Sequence, residues 1–468
     1  MKLYDELLRI IGDSERVSIN ETVLEQHSKG VAYHAACKPD AVVIPITKEE
    51  VSRIVQFAND HSIPLVPFGA GTSLEGHIIP VNGGISLNFT LMNQIISIRP
   101  DDFIVTVQPG VTRDQLNHAL KKHGLFFPID PGADASIGGM AATNASGTNS
   151  VKYGVMRDQV LGLELVLADG SIIRSGGYSY KSSAGYNLTG LFVGSEGTLG
   201  IFTEIILKLQ GIPEVICDVK ATFPSIEAAG KAATMLLKAG LPIGKIELVD
   251  KKTIEAVNAY KQTTYREEPT LFLEFSGSGP DVAYSIEMAQ EIVSSEQCKS
   301  FEFENDSIKR AQLWEARHHV AFAILAANPG MGMMATDVCV PLSELTNALA
   351  HTRKVVEEQG LDAAIFGHVG DGNYHAVLPV DPTSEEQRKQ VEEVHKQIVR
   401  FALSKGGTCT GEHGIGLGKK AFLQEEHGDL LPIMRGIKAT VDPNNILNPG
   451  KIFEGVSVTP RLKGSLTS

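Results

Sequence analysis

Residues 128–154 read PIDPGADASIGGMAATNASGTNSVKYG. The stretch has almost no bulky side chain to bury, so as plain chain it would be a long flexible loop. Loops of that length are uncommon inside compact domains unless they have a function. Ser136, Ile137, Gly138 and Gly139, and then Asn144, Ala145, Ser146 and Gly147, leave backbone N–H groups unhindered. Such donors suit a pyrophosphate and a flat ring, and ligand binding is the reading adopted for this stretch.

The chain on its N-terminal side supports that reading. Residues 41–46 (AVVIPI) read as a buried strand. Thr47 and Glu50 form a capping box, after which Val51, Ile54, Val55 and Ala58 repeat on one helical face. A second strand, 64–68, ends at GAGTSLEG (69–76). The β-α-β order invites a dinucleotide fold, but the strict GxGxxG pattern fails, because Leu74 stands at the third glycine. No helix is expected after it; Pro80, Asn82, Gly83 and Gly84 lead into a strand at 85–89. The loop can still hold phosphate as a nest of N–H groups. A strand at 104–107 follows, then a helix capped by Thr112 and Gln115 and stopped at Gly124.

Beyond the stretch, 163–167, Asp169-Gly170 and 172–174 make a hairpin. GSEGTLGIF (194–202) is one more glycine-spaced turn, before a strand at 203–209. Glycine-rich segments that each end a strand converge on one large planar or phosphate-bearing cofactor.

Composition narrows the class. The 468 residues can bury a sizeable core, and 43% hydrophobic with 21% charged residues is an ordinary globular balance. A net charge of −13 argues against nucleic acid as a partner. No apolar run approaches a membrane span; 320–327 is far too short. The first residues, MKLYDELLRIIGDSER, mix acids and bases in a helical pattern without signal-peptide shape. The five cysteines (Cys37, Cys217, Cys298, Cys339, Cys409) are scattered and form no CxxC pair, so neither a disulfide framework nor an iron–sulfur cluster is expected. The location expected is cytoplasmic, or membrane-associated through a partner.

From about residue 212 helices at 225–239, 281–294, 343–358 and 385–403 alternate with strands at 270–275, 300–303, 333–340 and 364–367. That texture suggests an α+β cap. Within it FGHVGDGNYH (366–375) sets His368 and His375 around an Asp-Gly-Asn turn, and TGEHGIGLG (410–418) sets Glu412 beside His413. These are parts for proton or metal chemistry, or else surface histidines on a satisfied turn. On a helix over 307–325, Trp314, Arg317, Ala321 and Ile324 share one face. Arg317 then forms an interior ion pair, with Glu315 or Asp337, or grips a substrate carboxylate with two N–H bonds.

Three segments in order, VPFGAGTSLEG (66–76), PGADASIGGMAATNASGTNSVKYG (131–154) and VGSEGTLGIF (193–202), resemble the FAD-binding domain of the p-cresol methylhydroxylase and vanillyl-alcohol oxidase superfamily. The resemblance covers the whole N-terminal half. It implies an extended FAD touching Pro67, Gly69, Ala70, Gly71, Thr72 and Ser73 in the first segment. In the second it implies Pro131, Ser136, Ile137, Gly138, Gly139, Ala142, Asn144, Gly147, Tyr153 and Gly154. Glu196, Gly197 and Ile201 follow near the flavin end. Members with covalent flavin carry a histidine in the first loop; Thr72 stands there and His77 lies on the wrong side, so non-covalent FAD is expected.

LWEARH (313–318), GHVGDGNYH (367–375), GEHGIG (411–416) and NNILNPGK (444–451) resemble the D-2-hydroxyacid dehydrogenase branch of that superfamily, which includes D-lactate dehydrogenases and the flavoprotein component of glycolate oxidase. The resemblance implies that Arg317 binds the substrate carboxylate. It implies that His368, His375 and Glu412 hold a divalent metal, zinc or manganese, that His413 is the general base, and that Asn448 touches the flavin. The hydroxyl proton would go to His413 and the α-hydrogen, as hydride, to flavin N5. Adjacent Glu412 and His413 cannot share a direction if extended, so one is expected to face metal and the other substrate. Relatives acting on 2-hydroxyglutarate carry polar groups where this chain has Ala321, Ala335 and Val377, so a second carboxylate would lack a partner. A short substrate, D-lactate or glycolate, is expected.

The fold class expected is α+β: a two-subdomain FAD-binding domain of p-cresol methylhydroxylase type plus an α+β, ferredoxin-like cap domain with an antiparallel sheet. Its segments are 1–36 (N-terminal helical), 37–211 (FAD-binding), 212–420 (substrate-binding cap) and 421–468 (a helical return to the FAD domain). With no haem or cluster motif in the chain, the resemblance implies a quinone, a cytochrome or a separate iron–sulfur subunit as electron acceptor. The alternatives are a transferase of the alkyl-glycerone-phosphate synthase type, which uses FAD without net oxidation, and a D-2-hydroxyglutarate dehydrogenase. A non-catalytic flavin-binding subunit would not need the Arg317, His368, His375, Glu412 and His413 set, and a zinc hydrolase would leave the glycine-rich half without a purpose.

Overall fold

The structure is a computed structural model that describes residues 2–31, 34–381 and 383–454, without the side chains of Glu315, Ala316 and His318. Contacts divide the chain into two compact units. The first is Met1–Ser146, Val155–Ile212 and Glu412–Ser468; the second is Gly147–Gly154 and Pro213–Gly411. Two stretches group otherwise than the sequence segments had them: Gly147–Gly154 goes with the second unit and 412–420 with the first. The first of these is held to its unit by Ser150, whose hydroxyl bonds Asp371, and by Lys152, whose Nζ donates to Ser276 Oγ at 2.7 Å. Residues 455–468 of the expected C-terminal segment lie outside the described residues.

The first unit holds two main sheets. Strands Val17–Ser18, Ala41–Val43, Ile85–Asn88 and Leu65–Phe68 lie in that order, the last three parallel. Helix Lys48–His61 makes the crossover and buries Val51, Ile54, Val55 and Ala58, the periodic face read from the sequence. Thr47 caps it as expected, its hydroxyl accepting from Glu50 N. Glu50 does not return the bond; its carboxylate accepts from Ile46 N at 2.8 Å and pairs with Arg16. The second sheet is antiparallel, in the order Ile95–Arg99, Ile104–Val107, Ile201–Lys208, Val160–Val166, Ile172–Gly176. Its Asp169-Gly170 hairpin closes with Val166 opposite Ile172 and Gly170 at φ +84°, a left-handed turn that glycine adopts without strain. Helix Arg113–Leu120, capped by Thr112, packs Leu116 and Leu120 into the core with Val105, Val107, Leu165 and Ile205.

The 128–154 stretch is not a continuous loop. It forms helix Ile137–Thr143, capped by Ser136, and helix Ser150–Tyr153. Its two glycines are poor helix formers, but Ala141 and Ala142 are good ones, and Ile137, Met140 and Ala141 give the helix Ile137–Thr143 a buried face.

The second unit is built on an eight-stranded sheet with Ser300–Glu304, Val215–Thr222, Thr270–Gly277, Ile243–Val249, Ala364–Gly367, Asn373–Val380 and Gly332–Ala335 in sequence across it. Strand Val338–Cys339 pairs with Asn373–Val380 off that path, and all pairings are antiparallel. Taken in chain order, the first four strands stand fourth-first-third-second, with helices Ile226–Lys238 and Gly279–Ser295 as crossovers. This is the ferredoxin-like split βαβ arrangement. Two expectations need correction. The strand at 333–340 is interrupted at Thr336-Asp337, and the helix at 307–325 breaks at His319 into Ser307–His318 and Val320–Ala327. The break rotates the second piece, so Trp314, Arg317 and Ile324 are buried but Ala321 is exposed and Ala323 takes the inward place.

Candidate active site

Within the first unit the glycine-rich turns enclose a cleft of about 1250 Å³, counting its open mouth. A cleft walled by so many bare-backbone turns suits a large cofactor. Pro67, Gly69, Ala70, Gly71, Thr72 and Ser73 line it, with Pro131, Ser136, Gly138, Gly139 and Ala142 facing them. Glu196, Gly197, Ile201 and Asn448 line it too, as do Glu412 and His413. Ile137 does not; it is wholly buried in the core. Asn144 ends its helix at φ +52°, its Oδ1 accepting from Arg157 N at 2.9 Å. Gly147, Tyr153 and Gly154 belong to the second unit.

The turns meet too closely to admit side chains. A Cβ on Gly69 would stand 2.3 Å from Ser136 Oγ, and one on Gly138 would stand 2.5 Å from Pro109 Cβ. Gly138 N donates to Pro109 O at 2.8 Å, which fixes that approach. Ser73 Oγ is buried in the lining and has no hydrogen-bond partner among the described residues, so a donor waits there for a ligand oxygen. Bare backbone, an unpartnered hydroxyl and a long cleft fit a dinucleotide such as FAD.

At one end of the cleft lies a knot of polar groups. The Glu196 carboxylate accepts from Ile415 N at 2.7 Å and Gly416 N at 2.9 Å, one glycine beyond His413 in the chain. Asn448 Nδ2 donates to the carbonyls of His77 at 3.1 Å and Glu196 at 2.7 Å. Glu196 and Asn448 both hold positive φ, 54° and 40°, a strain of order 1 kcal/mol or more that these bonds sustain. His77 is buried in the lining, and its Nε2 stands 3.3 Å from Glu196 Oε2, without hydrogen-bond alignment. Glu412 and His413 also differ from the extended picture. The segment bends there, and both face the cleft with His413 Nε2 3.8 Å from Glu412 Oε1. Ser146 Oγ donates to Glu412 Oε2 at 2.8 Å. Glu75 lies buried, where burial alone would raise its pKa; Lys419 at 3.3 Å and His34 outweigh that and hold it below the usual carboxylate range.

The second unit carries the other named residues. Arg317 is 7% exposed and its ion-pair partner is Glu247, with Nη2 2.6 Å from Oε2. Asp337 serves elsewhere, and the side chain of Glu315 lies outside the described residues. Glu247 also accepts from His368 Nδ1, Oε1 at 2.6 Å. Glu247 is wholly buried, which alone would raise its pKa, but His368 and Arg317 hold it below the ordinary value. His375 Nδ1 meets Thr336 O at 3.2 Å, and its ring lies 5.7 Å from that of His368, edge to face. In both histidines an oxygen partner at Nδ1 orients the ring, as around ligating histidines. Two imidazoles are donors of the type a divalent ion takes. Asp337 accepts from Asn373 Nδ2 at 2.9 Å and Thr410 Oγ1 at 2.8 Å.

Away from Glu247, one side of Arg317 is apolar. Its guanidinium carbon lies 5.0 Å over the Phe366 ring, and Trp314, Val249 and Val377 complete the cluster. Ala335 stands opposite Val377 in the strand register and packs against it. Ala321 has no part in it. Glu247 was missed from the sequence, although its strand offers a signal: Lys245 and Glu247 sit two apart in IGKIELV, charged residues on one face of an otherwise apolar strand.

Comparison with known proteins gives the same picture. The profile described as "FAD linked oxidases, C-terminal domain" matches residues 212–452, and "FAD binding domain" matches 39–176. A probable mitochondrial D-lactate dehydrogenase of Danio rerio is 44% identical over 95% of this chain and 90% of that protein. The mitochondrial D-lactate dehydrogenase [cytochrome] of Arabidopsis thaliana is 39% identical over 97% of this chain and 80% of that protein. A substrate-bound p-cresol methylhydroxylase structure superposes with a TM-score of 0.80 at 21% identity, covering 96% of each chain, a likeness of fold. The cytoplasmic location expected from the sequence does not stand, since these relatives are mitochondrial. Dispersed cysteines report reducing surroundings, which several compartments share. Among the described residues no helix is long and apolar enough to cross a membrane.

Proposed function

The chain belongs to the FAD-linked oxidases, and we propose that it oxidises a short D-2-hydroxy acid, D-lactate or glycolate, to the 2-oxo acid. It is an oxidoreductase with an FAD-binding domain. The observation that carries the reading is the half-used guanidinium of Arg317. One Nη bonds Glu247, while Nε is buried with no hydrogen-bond partner among the described residues. A buried donor left open beside an apolar cluster favours a ligand with one carboxylate and a small apolar remainder. Ala335 and Val377 support the short substrate; exposed Ala321 does not bear on it.

In this reading residues 37–211, with the return at 421–454, hold FAD non-covalently, and 212–420 bind substrate. Bound FAD supplies the two-electron sink that takes the α-hydrogen as hydride. Arg317 orients the carboxylate, and His413 takes the hydroxyl proton in the cleft. His368, His375 and Glu412 would hold zinc or manganese, whose positive charge favours the alkoxide form of the hydroxyl. Electrons then leave for a quinone, a cytochrome or an iron–sulfur subunit.

The test is anaerobic. The metal-loaded holoenzyme is mixed in turn with D-lactate, L-lactate, glycolate and D-2-hydroxyglutarate while the visible flavin band is recorded. Bleaching by D-lactate or glycolate is expected, and bleaching by none of the four overturns the proposal.

A further inference from the structure

Glu247 sits at the centre of strand Ile243–Val249, wholly buried among apolar neighbours. A carboxylate in such a place must be satisfied by strong donors or it would not stay ionised. It has two, one on each oxygen: His368 Nδ1 on Oε1 and Arg317 Nη2 on Oε2, both at 2.6 Å. The strand register explains the first contact. Leu248 lies opposite Gly367 and Val249 opposite Phe366, so the antiparallel ladder carries Glu247 to His368. The second contact comes from helix Ser307–His318 packing Trp314 and Arg317 towards the sheet.

We infer that Glu247 is the positioning residue of this site, holding the imidazole of His368 and the guanidinium of Arg317 at once. The inference rests on the reading of those two residues as metal ligand and carboxylate grip. Glu247 reaches neither metal nor substrate in this role; it acts through its two neighbours.

Each bond has a separate consequence. Accepting from Nδ1–H selects the His368 tautomer with an unprotonated Nε2, the form a metal ligand needs, and it orients the ring. Accepting from one Nη of Arg317 restrains a long side chain with many rotamers and takes up one donor. The buried Nε–H is left for a carboxylate. Because both bonds end on one rigid carboxylate, the grip and the ligand are set relative to each other. Phe366 next to Gly367 carries the guanidinium on its ring face at 5.0 Å, which leaves that group little freedom to swing away.

The experiment compares wild type, Glu247→Gln and Glu247→Asp as full-length holoproteins. Flavin content and thermal midpoint report folding. The dissociation constant for zinc or manganese is then measured by chelator competition, apart from any turnover. Glu247→Gln is expected to bind metal about 10- to 100-fold more weakly. At saturating metal its KM for D-lactate should still rise about tenfold through the loosened Arg317. A larger loss in KM than in kcat, with flavin content kept, separates positioning from plain destabilisation. Glu247→Asp keeps the charge but withdraws it by one methylene; it should show the same two defects, and it carries the comparison if Glu247→Gln does not fold. Metal affinity and KM both unchanged in a folded variant overturn the inference, while wild-type turnover leaves the proposed function standing. If wild type binds metal but oxidises no 2-hydroxy acid, that function fails, and the metal arm still decides the role of Glu247.

Discussion

His413 Nε2 lies 3.8 Å from Oε1 of its neighbour Glu412, and both side chains enter the same cleft. Neighbours in a straight segment would point apart. The bend that brings them together is held from outside, by Glu196 accepting from Ile415 and Gly416. A carboxylate and an imidazole are thereby presented to one ligand space.

His413→Gln should therefore spare the cofactor and remove the base. Flavin content is expected to stay near one per chain, while anaerobic flavin reduction by D-lactate slows about 100- to 10,000-fold, the range typical for loss of a general base. Stopped-flow absorbance measures it; an unchanged reduction rate excludes His413 as the base.

Arg317→Lys keeps a positive charge for Glu247 but loses the planar fork. The expected result is a fall of about 100-fold in kcat/KM, chiefly through KM, from two lost charge-assisted hydrogen bonds. Steady-state kinetics with an artificial electron acceptor decide it, and a KM equal to wild type contradicts the carboxylate role.

Treatment with a strong chelator should abolish oxidation without releasing flavin, and zinc or manganese should restore it. Full activity in protein shown by elemental analysis to be metal-free would remove the metal from the proposal.

Gly138→Ala places a Cβ 2.5 Å from Pro109 Cβ and 2.9 Å from Pro109 O, neither of which can yield easily. An overpacking penalty of about 1–3 kcal/mol is expected, read as a lower thermal midpoint and less bound flavin. In wild type, acid precipitation should leave all the flavin in the supernatant, as non-covalent binding requires; yellow protein in the pellet would point to a covalent bond and to His77 as a residue to examine.

Asp218 is wholly buried, and burial, then Glu274, push its pKa from 3.8 to about 6 despite Arg310 at 2.9 Å. The native state thus binds this proton more tightly than the unfolded chain does. Its contribution to stability is present below pH 3.8 and is lost as pH rises through about 6. Asp218→Asn removes that dependence, so the stability difference, variant minus wild type, should rise across this window by roughly 3 kcal/mol. Urea unfolding at several pH values measures it; a difference flat in pH contradicts the raised pKa.

Much of the first unit was legible because its signals are local. Thr47 and Thr112 cap the helices they were expected to cap, and Gly124 and Gly170 stand at the left-handed turns they mark. The glycine-rich segments line one cleft, though only 69–76 directly ends a strand and 194–200 instead leads into one. What was not legible depends on register or on distant packing. Glu247 acquires its place only when its strand pairs with the one ending at Gly367, and no local pattern announces that pairing. The break at His319 carries neither proline nor glycine, so a helical period carried through it put Ala321 on the wrong side. The motif placed His77 only along the chain; that it lines the cleft, just past the turn at Gly76, is visible only in the fold.

Strand Leu65–Phe68 is the last strand of its sheet, and its outer side is taken by the C-terminal segment: Leu65 N donates to Ile446 O, and Asn448 N to Leu65 O. During synthesis on the ribosome those partners emerge only after the whole second unit has been made. Until then the nascent chain carries a bare, apolar strand edge, the kind of surface that invites pairing with other chains. Completion of the cofactor-binding unit thus waits on residues 446–448, so the order of synthesis leaves this edge open to mispairing until they are made.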